Sequence, residues 1–125
     1  MTKRTRGLGN RGEALAAAYL RERGYQIIAQ NWRALPGEID LIAQTAQEIV
    51  FIEVKTRYDD TGAEAVSPLE AITRTKMLRL QRAAYAYLNQ HALDPDLTHW
   101  RIDAVAVIVR PDRTHIDHYQ DVLQW

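Results

Sequence analysis

Gly37-Glu38-Ile39-Asp40-Leu41-Ile42-Ala43, a short gap, then Ile49-Val50-Phe51-Ile52-Glu53-Val54-Lys55, is the stretch on which the fold turns. Each half is short, rich in Ile, Val and Phe, and bounded by polar or turn residues, so each reads as a β-strand. Glu38, Asp40, Glu53 and Lys55 sit where a plain core strand carries aliphatic side chains. Burying unpaired charge is expensive, so these four need a reason.

Strand parity narrows the reason. Side chains alternate faces, so Glu38, Asp40 and Ile42 share one face of the first strand, and Ile49, Phe51, Glu53 and Lys55 one face of the second. The gap from Gln44 to Glu48 suits an antiparallel hairpin, although no Asn-Gly or Asp-Gly fixes its turn type. A loop centred between Ala46 and Gln47 sets Asp40 opposite Glu53 and Glu38 opposite Lys55. Opposed residues have Cβ atoms roughly 4.5–5.5 Å apart. A one-residue slip would scatter the charges onto opposite faces.

Two carboxylates that close raise each other's pKa unless a cation lies between them. Mg²⁺ takes oxygen ligands, commonly one or two carboxylates with water and phosphate. A lysine two residues beyond Glu53, on its face, can reach the phosphate or the attacking water. That is the equipment of a metal-assisted phosphodiester hydrolase. The competing reading is an ion-pair lattice on the exposed face of an edge hairpin. Apolar partners on both faces argue for an interior hairpin and favour function.

The whole chain sets bounds. Its 125 residues suffice for one domain with one core, and 46% hydrophobic with 26% charged is ordinary for a soluble globular protein. It has no cysteine, which excludes disulfides and thiolate metal sites. No apolar run approaches a membrane span and the N-terminus lacks a signal-peptide core, so cytoplasm is the default and no membrane partner is expected. Net charge is zero, but Lys3, Arg4, Arg6 and Arg11 precede any acid, while six Asp from Asp94 onward face Arg101, Arg110 and Arg113. That polarity can steer a polyanion. Residues 1–8 read equally as such a basic arm or as a solvated, disordered tail.

Asn10 to Arg23 reads as a helix, with Asn10 as N-cap, Leu15, Ala16, Tyr19 and Leu20 as its stripe, and Gly24 as terminator. Glu13 is either half of a capping box or a further acid aimed at the hairpin. Tyr25 to Arg33 is a strand with Ile27 and Ile28 as core candidates. It leads into a Pro36-Gly37 turn. Trp32 reads first as packing, and Arg33 as a phosphate contact if it lies near the charged face. Thr56 to Val66 is a polar, Gly-containing loop expected to be mobile and to flank the site. Arg57 shares the face of Glu53 and Lys55 if the strand runs on.

Ser67-Pro68-Leu69-Glu70 opens a helix to about Gln90, with Leu69, Met77, Leu80, Ala84, Tyr87 and Leu88 on one stripe. Arg74, Arg79 and Arg82 belong to its solvated side, and Lys76 borders the stripe, where it can face the hairpin. Trp100 to Val109 is a further strand, apolar on both faces after Asp103 and therefore central, with Arg101 paired to Asp103. Pro111-Asp112-Arg113 turns into a short strand near His115 to Tyr119. His115 and His118, without cysteine or a helix beneath them, make a poor metal pair. The elements sum to an α/β fold: a single domain with a mixed β-sheet of about five strands around the central hairpin, flanked by two main helices.

Glu13, Asp40 and Glu53-Val54-Lys55 together resemble the PD-(D/E)xK, restriction-endonuclease-like nuclease superfamily, and are similar to archaeal Holliday-junction resolvases. More narrowly, the chain resembles the YraN-like family of predicted endonucleases. That likeness rests on Gly12-Glu13, Gly24, Asn31-x-Arg33, Gly37 to Ile42, Phe51 to Arg57, Lys76 and Arg101-Ile102-Asp103. The resemblance implies a single nuclease-like domain over residues 9–125, with Asp40 and Glu53 as metal ligands, Lys55 as catalytic lysine and Glu13 as the helix acid of the resolvase branch. Glu38 stands where some relatives carry Pro. Implied too are a Mg²⁺ or Mn²⁺ cofactor and hydrolysis of DNA, branched DNA included. Arg33, Arg57 and Lys76 would hold nucleic-acid phosphates, and a homodimer follows by analogy with a two-fold junction. The alternatives are a non-catalytic nucleic-acid-binding module of the same fold and a protein-interaction subunit.

Overall fold

In a computed structural model that describes residues 3–34, 37–59 and 72–124, the Gly37–Gln44 and Ile49–Tyr58 segments are β2 and β3 of one sheet. Helix α1 (Lys3–Glu22) and strand β1 (Gln26–Ala34) precede them. Helix α2 (Arg74–Gln90), β4 (Trp100–Val109), β5 (Thr114–Tyr119) and a 3₁₀ turn (Val122–Gln124) follow. The five strands lie in the order β1-β2-β3-β4-β5. Pairing is antiparallel except between β3 and β4, which run parallel because the chain crosses over through α2.

Each helix covers one face. Ala16, Ala17 and Leu20 of α1 pack on Leu41, Ala43, Val50, Ile52, Val54 and Val105. Leu80, Ala83, Ala84, Tyr87 and Leu88 of α2 pack on Ile39, Ile42, Phe51 and Ile102 on the other. β4 is buried from Ile102 to Val109, as a strand apolar on both faces must be. Trp32 packs edge-on against Tyr87 with centroids 5.3 Å apart, so its role here is core. Among the described residues, no helix is long and apolar enough to cross a membrane.

Three local expectations are corrected. α1 starts at Lys3, so Asn10 is not its cap and Glu13 lies mid-helix rather than in a capping box. Extending a nucleated helix fixes one residue per hydrogen bond gained, and Lys and Arg are good formers, so a cap signal at Asn10 does not stop it. The other end closes as expected: Gly24 adopts φ +91°, Tyr25 N–H reaches Leu20 O and Gly24 N–H reaches Arg21 O. Ile28 is exposed rather than core. The β1–β2 register shifts between Ile27 and Ala29, leaving Ile28 as the extra residue of a bulge. Finally, the helix ending at Gln90 is capped by Thr73, whose hydroxyl accepts from Lys76 N–H. The Ser67-Pro68 start, the turn at Pro36 and the loop from residue 60 to 66 fall outside the described residues.

Candidate active site

β2 and β3 pair from Gln44↔Ile49 to Leu41↔Ile52, the register that sets Asp40 against Glu53. Beyond Leu41 the ladder ends, and a side chain takes the place of the missing backbone partner. Val54 N–H donates to Asp40 Oδ2 at 2.8 Å. The two acids therefore face each other where the strands part, with Glu53 close enough to share a hydrogen bond with Asp40. Lys55 Nζ lies 3.1 Å from Glu53 Oε1, both side chains being largely buried.

The electrostatics of this pocket are unbalanced. Burial first, then the Glu53 charge, pushes the Asp40 carboxyl up to about 8, with Glu13 adding to it and the Val54 N–H opposing. Glu13 is also raised, by burial first and by Glu38 and Glu53, while a hydrogen bond from Asn31 pulls the other way. Lys76, exposed on the first turn of α2, is lowered chiefly by the charge of Lys55. Acids crowd acids here, and an ammonium crowds an ammonium.

The expected residues thus divide. Glu13, Asp40, Glu53, Lys55 and Lys76 come together across α1, β2, β3 and α2. Arg33 does not join them as a free cation: it pairs with Glu38 at 3.3 Å, its side chain 81% exposed. Glu38 was expected opposite Lys55, but with β2 and β3 parted it finds its partner on β1, where Arg33 is its register mate. β3 runs on to Tyr58, so Arg57 does share the face of Glu53 and Lys55. Its Nε and Nη2 are buried without a hydrogen-bond partner among the described residues.

Two contributors entered the sequence reading only as part of the family likeness, with no role assigned to them. Asn31 sits in β1 between the pairs Gln30↔Leu41 and Trp32↔Ile39, hence across from Asp40, with φ +50°. Beyond that likeness its legible signal is residue type, Asn being among the few side chains that tolerate that conformation. Gly12 is the second. A Cβ there would lie 1.8 Å from Thr56 Oγ1, so glycine alone lets α1 approach β3 and bring Glu13 to the pocket.

For Mg²⁺ or Mn²⁺ the donor set can be tested chemically. Among the described residues no three acid or histidine side chains converge as ligands. The pair Asp40–Glu53 still suits a cation that takes one or two carboxylates and fills its shell with water and phosphate oxygens. Their mutual repulsion is what such a cation relieves.

A second cluster of charges lies at the start of β4. Asp103 is fully buried and accepts from Arg101 Nε at 2.9 Å, from Asp121 N–H at 2.9 Å and bonds His118 Nε2 at 2.6 Å. Arg101 also pairs with Glu48 and donates to Tyr25 OH at 2.8 Å. Burial alone would raise Asp103, but these donors outweigh it and hold the carboxyl below its ordinary value. His118 is bound to Asp103 and His115 to Asp117, so the two histidines point to separate partners.

The model of a family described as "Uncharacterised protein family UPF0102" matches residues 12–107. A "UPF0102 protein" of Chloroflexus aurantiacus is 50% identical over 108 residues, covering 86% of this chain and 84% of its own. Others from Roseiflexus castenholzii (42% over 120 residues, 94% of each chain) and Nocardia farcinica (44% over 116 residues, 92% and 87%) match over nearly the whole length. None of these names states an activity.

Proposed function

The chain belongs to the uncharacterised protein family UPF0102, and from its paired-acid pocket we propose that it is a divalent-metal-dependent nuclease that hydrolyses phosphodiester bonds in DNA, branched DNA included. One observation carries this reading: Asp40 and Glu53 face each other where β2 and β3 part, with the Lys55 ammonium 3.1 Å from Glu53.

Asp40 and Glu53 would hold Mg²⁺ or Mn²⁺, with Glu13 nearby. Bound there, such a cation acidifies a water and offsets charge on the phosphate. The Val54 N–H fixes the Asp40 carboxylate in place. Lys55, steered by Glu53, donates to the attacking water or to a phosphoryl oxygen as negative charge builds on it. Water adds to phosphorus and releases a proton to solvent, one P–O ester bond breaks, and the leaving alkoxide takes up a proton from solvent, so none is gained or lost overall. Lys76 beside Lys55, and Arg57 farther along the same strand face, would hold flanking phosphates. Such contacts give salt-sensitive, largely sequence-independent binding.

Cleavage of a plasmid and a four-way junction in Mg²⁺ tests the reading against Asp40→Asn and Lys55→Ala. Each variant should lose about 10²–10³ in rate, the size of removing one positioned charge or donor. Equal traces of cleavage in all three would mark a contaminant and end the proposal. DNA affinity that persists in chelator, without turnover, would move the protein to a binding module of the same fold.

A further inference from the structure

Glu13 reaches the acid pair from a different element, and something must hold it there against repulsion. The helix carrying it is pressed on β3 by the Gly12–Thr56 contact. Its carboxylate, half-buried and facing the charges of Glu38 and Glu53, lies beside the Asn31 side chain, whose amide opposes the rise in its pKa. Asn31 comes there from an unusual place. It lies within β1, its neighbours in ordinary register with β2, yet its own φ is +50°. Asn is among the few non-glycine residues that adopt the left-handed conformation, and here it does so inside a strand, across the ladder from Asp40.

We propose that Asn31 is a positioning residue whose side-chain amide holds the Glu13 carboxylate toward the Asp40–Glu53 pair, and that its left-handed backbone exists to aim that amide. This inference rests on the reading of Asp40 and Glu53 as cation ligands. The amide donates to a carboxylate without adding charge, so it restrains Glu13 and leaves the oxygens negative for a cation or its bound water. An Asp at the same position would keep the backbone but add a fourth acid; a Gly would keep the backbone and remove the donor. Partners that orient ligands in this way are worth about 10–100-fold in metal affinity.

Titration calorimetry with Mn²⁺ on the whole protein, without DNA, separates the possibilities. Asn31→Gly folds readily, because glycine accepts the left-handed conformation on an exposed strand position. It should weaken Mn²⁺ binding about 10-fold. Glu13→Ala should weaken it comparably, and the double variant no further than Glu13→Ala alone, because the amide acts only through Glu13. A purely structural role for Asn31 predicts the opposite: a loss of equal size whether or not Glu13 is present. That result, or wild-type affinity in Asn31→Gly while Asp40→Asn binds weakly, overturns the inference. Mn²⁺ affinity unmoved by Asp40→Asn overturns the reading of the acids as ligands, and this one with it.

Discussion

Asp103 and Asp40 are both strand aspartates withdrawn from water, the first wholly and the second in part, and the molecule treats them in opposite ways. Asp103 has a guanidinium, an imidazole and a backbone N–H converging on its two oxygens, and its pKa falls. Asp40 has one backbone N–H on one oxygen and faces Glu53 and Glu13, and its pKa rises to about 8. Asp103 ties β4 to β5 and, through Arg101, to Tyr25 and the β2–β3 turn at Glu48. A fully satisfied network of that kind holds a fold together; a pair of facing acids opposes folding, and strongly perturbed groups of that kind cluster at functional sites. The contrast separates two motifs that look alike in sequence, Arg101-x-Asp103 and Glu53-x-Lys55, each an ion pair two residues apart on one strand.

The largest effect that would test this contrast is Asp103→Ala. Removing the acid leaves Arg101 and His118 buried against a void, which should cost roughly 3–5 kcal/mol of stability in a denaturant titration. Asp40→Asn, measured in chelator, should do the reverse and stabilise the protein, because it removes a charge that burial and Glu53 both oppose. If the two variants destabilise alike, the pocket is simply a second structural network.

The pH dependence sharpens the same point. A carboxyl whose folded pKa exceeds its unfolded value favours folding below about 4, the ordinary value, and that contribution is lost as pH rises to about 8. A carboxyl held low, as Asp103 is, supplies stability above its ordinary value and loses it on acidification. In chelator, the wild-type stability should therefore decline between about pH 4 and 8, by a few kcal/mol at most because Asp40 is only half-buried and solvent screens it. The decline should flatten in Asp40→Asn. Mn²⁺ in excess should restore the wild type and leave the variant unmoved.

Why one cluster was legible beforehand and the other was not follows from how each is built. The β2–β3 register could be read because two apolar runs with charges at fixed parity, separated by a short polar gap, admit one pairing that keeps the charges together. The link between Arg101 and Asp103 could be read because it is local. Asn31 could not, since its role depends on a backbone angle and on a partner that arrives from α1. Nor could the pairing of Arg33 with Glu38, which follows from strands that part just where the reading assumed they continued. Ile28 failed for the same kind of reason: a bulge changes parity, and no residue in Gln26–Ala34 announces it. The cap at Thr73 lost to Ser67-Pro68 because the latter is the stronger local signal, and helix starts answer to tertiary contacts as well.

A smaller effect probes how α1 is seated. Gly12→Ala puts a methyl group within 1.8 Å of Thr56 Oγ1, so helix or strand must move. About 1–3 kcal/mol of stability should be lost, as for other overpacked contacts. Cleavage and Mn²⁺ affinity should fall with it, since Glu13 moves when its neighbour does. Adding Thr56→Ala removes two of the three nearest clashing atoms and should recover part of both losses. A loss of stability in Gly12→Ala with Mn²⁺ affinity unmoved would show that Glu13 contributes nothing to the pocket.

The smallest effect separates the two kinds of arginine. Arg33 is 81% exposed and its pair with Glu38 spans 3.3 Å, so Arg33→Ala should change stability by no more than about 0.5 kcal/mol. Its consequence for DNA is the informative part. If Arg33 leaves Glu38 to contact a phosphate, the alanine variant should bind DNA more weakly, with a salt slope reduced by about one. Lys76→Ala should reduce the slope by as much, and should also relieve the repulsion on Lys55. An unchanged slope in Arg33→Ala, set against a reduced one in Lys76→Ala, would place the DNA path along β3 and α2. The Arg33–Glu38 pair would then be an edge ornament of β1 and β2.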